Sequence, residues 1–306
     1  MQQAQRILCW SAGAAFFVLV PALVGCGRDS PDNEANAVRL IVNADDVGLH
    51  EIFTDASLDA RLAGGVSSLS IVACGRDADR AIALLRRHPE LDVGVHLALN
   101  NCGPTLTPRE VAPSLYNEDG VMWATEDEAA THARPEEAKI AWEDQIRKVL
   151  DAGLHVSHLD GHMGCYFHSR EHFLAALDLA KQFQVPLIAS NRHGDIPPED
   201  LDLFGLASYT GVWRMGGAEE TLENRTEAYR QLFGSLSPGV HYIWTHQGQP
   251  TSDSDGLGDL DLRIDDYLFW TGGPARRVLA DLGYEMIDCA SLEAQFRKAL
   301  ASGERS

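Results

Sequence analysis

The chain has 306 residues, 45% of them hydrophobic and 23% charged, and a formal net charge of −20. That length supports one large domain with a sizeable core. The acidic balance excludes a nucleic-acid surface, which needs a surplus of Lys and Arg over phosphate, and no 20-to-50-residue repeat points to a solenoid.

In chain order, Arg6 precedes the apolar run "ILCWSAGAAFFVLVPALVG", which ends in "LVGC" at Leu23–Cys26. A short basic region before an apolar core is the pattern of a secretory signal peptide. "LVGC" resembles the bacterial lipobox, in which the Cys is lipidated and becomes the first residue, and Gly25 suits the cleavage position. A plain transmembrane anchor fits less well, because Pro21 interrupts a run already marginal in length. Residues 1–25 are therefore expected to be a lipoprotein signal peptide, with Cys26 the lipidation site. The cell envelope is the expected location, on the periplasmic face. Gly27 rather than Asp follows the Cys, which by resemblance to the bacterial sorting pattern favours the outer membrane. Residues 26–37 carry no apolar period and read as a flexible tether. The domain is expected over 38–306. Past Cys26 stand Cys74, Cys102, Cys165 and Cys289, with no CxxC spacing, so a zinc knuckle is not expected and three disulfide pairings are open.

From there, strand-like and helix-like runs alternate. Strands are expected at 39–45, 66–74, 92–99, 155–160, 186–190, 240–247 and 284–289. Helices are expected near 51–63, 76–87, 135–152, 170–183, 219–234, 274–282 and 291–301. This order predicts an α/β fold with about seven parallel strands and crossover helices, a (β/α) barrel-like fold akin to a distorted or incomplete TIM barrel. A doubly wound open sheet is the alternative. Two longer stretches, roughly 100–134 and 192–218, are candidates for shaping a site.

Polar residues gather where the expected strands end: Asp45 and Asp46, His96, His158 with Asp160 and His162, Asn191, and His246. A lone His is ordinary, but several strands ending in His beside one ending in Asp-Asp need a common reason. In barrels of this kind the C-terminal rim carries the site. Adjacent strand residues point to opposite faces, so one Asp can bind a metal while the other stands off as a base. In "HLDGHMG", His158 and His162 would lie about 13 Å apart if extended. Either the chain bends after Gly161 or only one of them is a ligand. Asp160 suits the role of a carboxylate holding a histidine in one tautomer. The residues alone support a metal-assisted hydrolase.

"LIVNADDVG", "GVHLAL" and "SHLDGHMG", in this order, resemble the YdjC-like carbohydrate deacetylase family (chitooligosaccharide deacetylases and relatives) from about Arg39 to Leu292. The resemblance implies Asp46, His96 and His162 as ligands of one divalent metal ion, Mg²⁺ or Zn²⁺, and Asp45 as catalytic base. It implies hydrolysis of an N-acetyl group on an amino sugar or oligosaccharide, the saccharide being the partner. His246 is the candidate proton donor, with His158 second; His158 and Asp160 are the candidates for support behind the ligands. This chain departs from the family's usual pattern at Val47, at Gly164 and at His246-Gln247, which bears on the substrate pocket rather than the metal ligands.

Trp213, Trp244 and Trp270 are candidates for stacking on sugar rings, with core packing the simpler expectation for Trp244. Cys165 is a weak ligand candidate, and Asp253, Asp255, Asp259 and Asp261 read as a solvated acidic loop rather than a calcium site. A metal-dependent hydrolase of another bond and a non-catalytic sugar-binding lipoprotein are the competing functions. A two-carboxylate glycosidase has no need of the histidines. A homo-oligomer is compatible with the sequence.

Overall fold

The computed structural model describes residues 37–100, 106–189, 208–212, 221–251 and 257–302. Cys26, the signal segment, Cys102, Asn191, Trp213, Asp253 and Asp255 lie outside them.

The first strand, β1 (Val38–Val47), is buried from Leu40 onward. Its continuous apolar run is that of a strand covered on both faces. Helix α1 (Glu51–Leu62) follows, with the His50 side chain accepting from Ile52 N and Phe53, Ala56 and Ala60 turned inward. Next come β2 (Ser68–Ile71), α2 (Ala78–Leu85) and β3 (Val93–Leu97). Helices α3 (Glu126–His132) and α4 (Pro135–Asp151) lead to β4 (Leu159–Gly161). Pro135 starts α4, where a missing N–H costs nothing. Inside α4, Gln145 exchanges two hydrogen bonds of 2.9 Å with the backbone of Ala98, tying the helix to the chain beyond β3.

After β4 a 3₁₀ turn at His162–Phe167 reverses direction through Met163 and Gly164, both at positive φ, and α5 (Arg170–Phe183) follows. The remaining elements are β5 (Ser208–Thr210), α6 (Leu222–Gly234), β6 (Gly239–Thr245), α7 (Leu260–Thr271), α8 (Gly273–Leu282), β7 (Glu285–Met286) and α9 (Ala290–Ser302).

All strand pairs are parallel, in the order β4-β3-β2-β1-β6-β5. β7 pairs with Arg39 and Leu40 on the edge of β1 that β2 takes further along. The result is a curled half-barrel of six strands plus one, not a closed TIM barrel. The strand expected at 186–190 contributes only a single bridge, Leu187 to Leu159. Three elements were not foreseen: β5, α3 and α7. None of the helices among the described residues is long and apolar enough to cross a membrane.

Two interior features bear on residues singled out in the sequence. Gly94 of β3 faces the His158 ring so closely that a Cβ there would lie 2.3 Å from Cε1. Trp270 of α7 is buried against Tyr229, Phe233 and Phe269, so it is core rather than a sugar platform. Cys74 is disulfide-bonded, whereas Cys165 and Cys289 are buried free thiols, so neither of those two is its partner. Cys165 donates to Leu97 O at 3.0 Å, inside the core.

Candidate metal centre

At the carboxyl ends of β1, β3, β4 and β6 a cavity of about 320 Å³ opens, lined by Asp45, Asp46, His96, His162 and His246 among others. The structure thus brings five of the expected residues together.

The Asp pair does not alternate across β1. The register breaks between Ala44 and Val47, and Asp46 sits at φ 65°, in the left-handed region. This turn swings both carboxylates to one side. His96 Nε2 lies 3.9 Å from Asp45 Oδ2 and 3.6 Å from Asp46 Oδ1. His162 Nδ1 lies 3.0 Å from Asp46 Oδ1. The turn that begins at His162 resolves the 158–162 spacing, because the chain bends after Gly161 and only His162 faces the cavity.

Each carboxylate has one oxygen tied back. Asn43 Nδ2 donates to Asp45 Oδ1 at 2.7 Å. Arg263 Nη2 donates to Asp46 Oδ2 at 2.8 Å, and its Nε grips Asp259 Oδ2 at 2.8 Å. The oxygens left toward the cavity are Asp45 Oδ2 and Asp46 Oδ1.

Behind His96, Asp160 Oδ1 lies 2.9 Å from Nδ1. Asp160 Oδ2 accepts from Ser70 Oγ at 2.9 Å, Tyr242 OH at 3.0 Å and Asn43 Nδ2 at 3.4 Å. A carboxylate at Nδ1 holds the proton there and leaves Nε2 as the donor atom turned to the site. His158 is one step further back. It is fully buried, 2.9 Å from Ser157 Oγ and 3.4 Å from Tyr242 OH, and it does not line the cavity. His246 follows β6 with Nε2 3.9 Å from both Asp45 Oδ2 and Asp46 Oδ2, and its backbone N donates to Asp266 at 3.0 Å.

Burial raises the Asp45 carboxyl well above its ordinary value; His96 opposes this, and Asp160 and Asp46 add to it. Burial would raise Asp46 as well, but Arg263 and His162 beside it hold it well below the usual range. His96 is raised to about 10: burial disfavours its charge, but Asp160 and Asp45 outweigh that, so a cation bound at Nε2 would displace a proton from it. Burial lowers His246 to about 3, with Asp46 opposing. The cluster therefore divides its charge unevenly, a pattern found among titratable groups at functional sites.

These residues fit a divalent cation. One ligating atom each from Asp46, His96 and His162 lies within 4.8 Å of the others, and all three residues are buried. His162 Nε2 is a buried nitrogen with no hydrogen-bond partner. Buried polar atoms are rarely left so, and a bound cation is one way of satisfying such an atom. Two imidazoles and a carboxylate are a donor set suited to zinc and its neighbours and leave positions for water and substrate.

The cavity wall adds residues that the motifs did not single out. Tyr209 of β5 and the half-buried Trp244 of β6 supply aromatic surface, so Trp244 is not simply core. Glu126 of α3 and Asp259 add carboxylates. Arg263 was hidden because the acidic stretch before it reads as loop. In fact Asp259 precedes α7 and Asp261 lies in its first turn. The four-residue spacing of Asp259 and Arg263 was the available signal.

A family model described as "YdjC-like protein" matches residues 39–281. A carbohydrate deacetylase of Halalkalibacterium halodurans is 28% identical over 208 residues, 67% of this chain and 84% of that one. One of Enterococcus faecalis is 31% identical over 156 residues, 50% of this chain and 59% of that one. A solved Enterococcus faecalis structure, of a protein named for cellobiose-phosphate cleavage, superposes with a TM-score of 0.74 at 25% identity. The match covers 84% of this chain and 99% of that one.

Proposed function

The chain belongs to the YdjC-like family, and from that premise we propose that it is a metal-dependent carbohydrate deacetylase, removing N-acetyl groups from amino sugars or their oligosaccharides. The observation that carries this reading is the convergence of Asp46, His96 and His162 on one point of a cavity, with the open oxygen of Asp45 beside it.

Asp46, His96 and His162 would hold one divalent ion, Mg²⁺ or Zn²⁺. Such an ion supplies Lewis-acid polarisation of the acetamide carbonyl and lowers the pKa of a water. Asp45 Oδ2 accepts that water's proton, and Asn43 holds the carboxylate so that this oxygen faces the cavity. His246, 3.9 Å from Asp45 Oδ2, is placed to receive the proton and pass it to the leaving amine. Asp160 fixes the ring of His96, with Tyr242 and, behind it, His158 supporting Asp160. Trp244 and Tyr209 offer aromatic faces to a sugar ring.

The test is an acetate-release screen over N-acetylated saccharides, with metal content measured in parallel on the wild type and His96→Ala. Acetate release that disappears together with the metal in the variant supports the reading. Cleavage of another bond, or saccharide binding without acetate release, replaces it with a different hydrolase or with a binding protein.

The lipid anchor is part of the same proposal and rests on "LVGC". Cys26→Ser should abolish lipid labelling and leave the protein unprocessed or unanchored. Unchanged lipid incorporation would remove the assignment of the envelope location.

A further inference from the structure

Arg263 makes a contact that metal binding alone does not explain. The residue is 6% exposed, and its guanidinium is gripped on three sides. Nη2 donates to Asp46 Oδ2 and Nε to Asp259 Oδ2, each at 2.8 Å. Its Cζ lies 4.0 Å over the Phe53 ring centroid. Gly248 packs on its stem so tightly that a Cβ there would lie 2.8 Å from Arg263 Cβ. Such an arginine is preorganised, and its planar fork fixes direction as well as charge.

The consequence falls on Asp46. Its Oδ1 lies 3.0 Å from His162 Nδ1 and 3.6 Å from His96 Nε2, whereas its Oδ2 points to Arg263. We propose that Arg263 is a positioning residue that confines Asp46 to one-oxygen ligation, so that the site prefers a small ion with few ligands over a larger one with many. A carboxylate free at both oxygens can chelate, as carboxylates around large, high-coordinate ions often do. One whose second oxygen is engaged by a guanidinium offers a single bond. This inference rests on the metal reading proposed above.

The test compares ions of equal charge and filled shell but different radius. Zn²⁺ against Cd²⁺, and Mg²⁺ against Ca²⁺, are titrated into the metal-free full-length protein by chelator competition. Arg263→Gln should shift the affinity ratio toward the larger ion of each pair by about tenfold, the low end of what losing a partner behind a metal ligand costs. Arg263→Lys, which keeps the charge without the fork, should shift it less. Asp259→Asn leaves Arg263 in place but loosens its grip, and should shift the ratio in the same direction. Removing a positive charge alone would change both ions of a pair by the same factor, so the ratio isolates ligation from charge. With Co²⁺ as probe, the visible bands of Arg263→Gln should weaken as the coordination number rises. Equal factors for both ions and an unchanged Co²⁺ spectrum would overturn the role of Arg263. If His96→Ala binds these ions as the wild type does, the metal reading falls and this inference with it. If His96→Ala loses binding while the Arg263 and Asp259 variants keep the wild-type ratio, only this inference falls.

Discussion

Asp160→Asn perturbs the cluster at one atom, and its effect can be worked through from the hydrogen bonds. The carboxylate meets donors on both sides: Ser70, Tyr242 and Asn43 at Oδ2, and His96 Nδ1 at Oδ1. An amide must replace one of these oxygens with NH₂. Placed at Oδ2, the NH₂ would face three donors, of which Asn43 Nδ2 cannot reverse its role. Placed at Oδ1, it would face only His96, which can respond by moving its proton from Nδ1 to Nε2. The side chain should settle that way, keeping the Oδ2 contacts and the fold. The cost then lands on His96 Nε2, the nitrogen 3.6 Å from Asp46 Oδ1, which becomes a donor and cannot ligate. Loss of such a partner lowers metal affinity or activity by about 10- to 100-fold, roughly 1.4–2.7 kcal/mol. Chelator competition measures the affinity, and ¹⁵N spectra of labelled histidine report the tautomer. Acetate release should fall at limiting metal and recover when metal is added. Wild-type affinity with His96 Nε2 still unprotonated would refute the reasoning.

Asp45→Asn should retain metal while losing activity by roughly 10²-fold or more, the usual worth of a positioned base. Asp46→Asn should lose metal and activity together and be partly rescued by excess metal. Rescue of Asp45→Asn by metal would mean that the base is another residue. Gly94→Ala should destabilise the fold by about 1–3 kcal/mol in urea denaturation, because its Cβ would lie 2.3 Å from the buried His158 ring; an unchanged midpoint would count against this packing. Burial raises Asp266 from 3.8 to about 6, opposed chiefly by Arg225. A carboxyl raised in the fold favours the protonated native state, so its contribution is present at low pH and is lost as pH climbs from about 4 to about 6, on the order of 3 kcal/mol. Asp266→Asn should remove that limb of the stability profile, and an identical slope in the variant would show that another group produces it.

The parallel sheet was legible because β1, β2, β3 and β6 are apolar runs with helix-forming stretches between them. Where the chain contributes two or three residues to the sheet, as at β5 and β7, no periodicity can announce a strand; β7 was caught only inside a longer expected run. At 186–190 the apolar run was real but served core packing: Leu187 makes one bridge, and Ile188 and Ala189 are buried around it. Helix α7 was missed for a different reason. Its opening, "LDLRIDD", is acidic and reads as solvent-facing, yet Arg263 and Asp266 are both buried. Buried charges paired within the fold look like surface in a sequence.

The Asp pair shows how a correct rule can mislead at a site. Alternation along a strand holds while φ and ψ stay extended, and Asp46 leaves that region at φ 65°. A left-handed non-glycine residue costs about 1–2 kcal/mol and persists only where its surroundings enforce it. Here they do: Leu49 N donates to Asp46 O at 3.1 Å to close the turn, and Arg263 Nη2 holds Asp46 Oδ2 at 2.8 Å. The strain places two carboxylates from consecutive residues on one side of a strand, so that an oxygen of each lies within 3.9 Å of His96 Nε2. Regular β structure would have sent one of them into the opposite layer. The same geometry decides which substitution is informative at position 46. Asn tolerates the left-handed region nearly as well as Asp, so Asp46→Asn changes ligand chemistry and leaves the turn intact. Asp46→Ala would strain the turn and remove the ligand at once, and a loss of activity there would not distinguish them. If Asp46→Asn unfolds the protein while Asp46→Gly folds, the backbone at this residue is held by its carboxylate rather than by the turn.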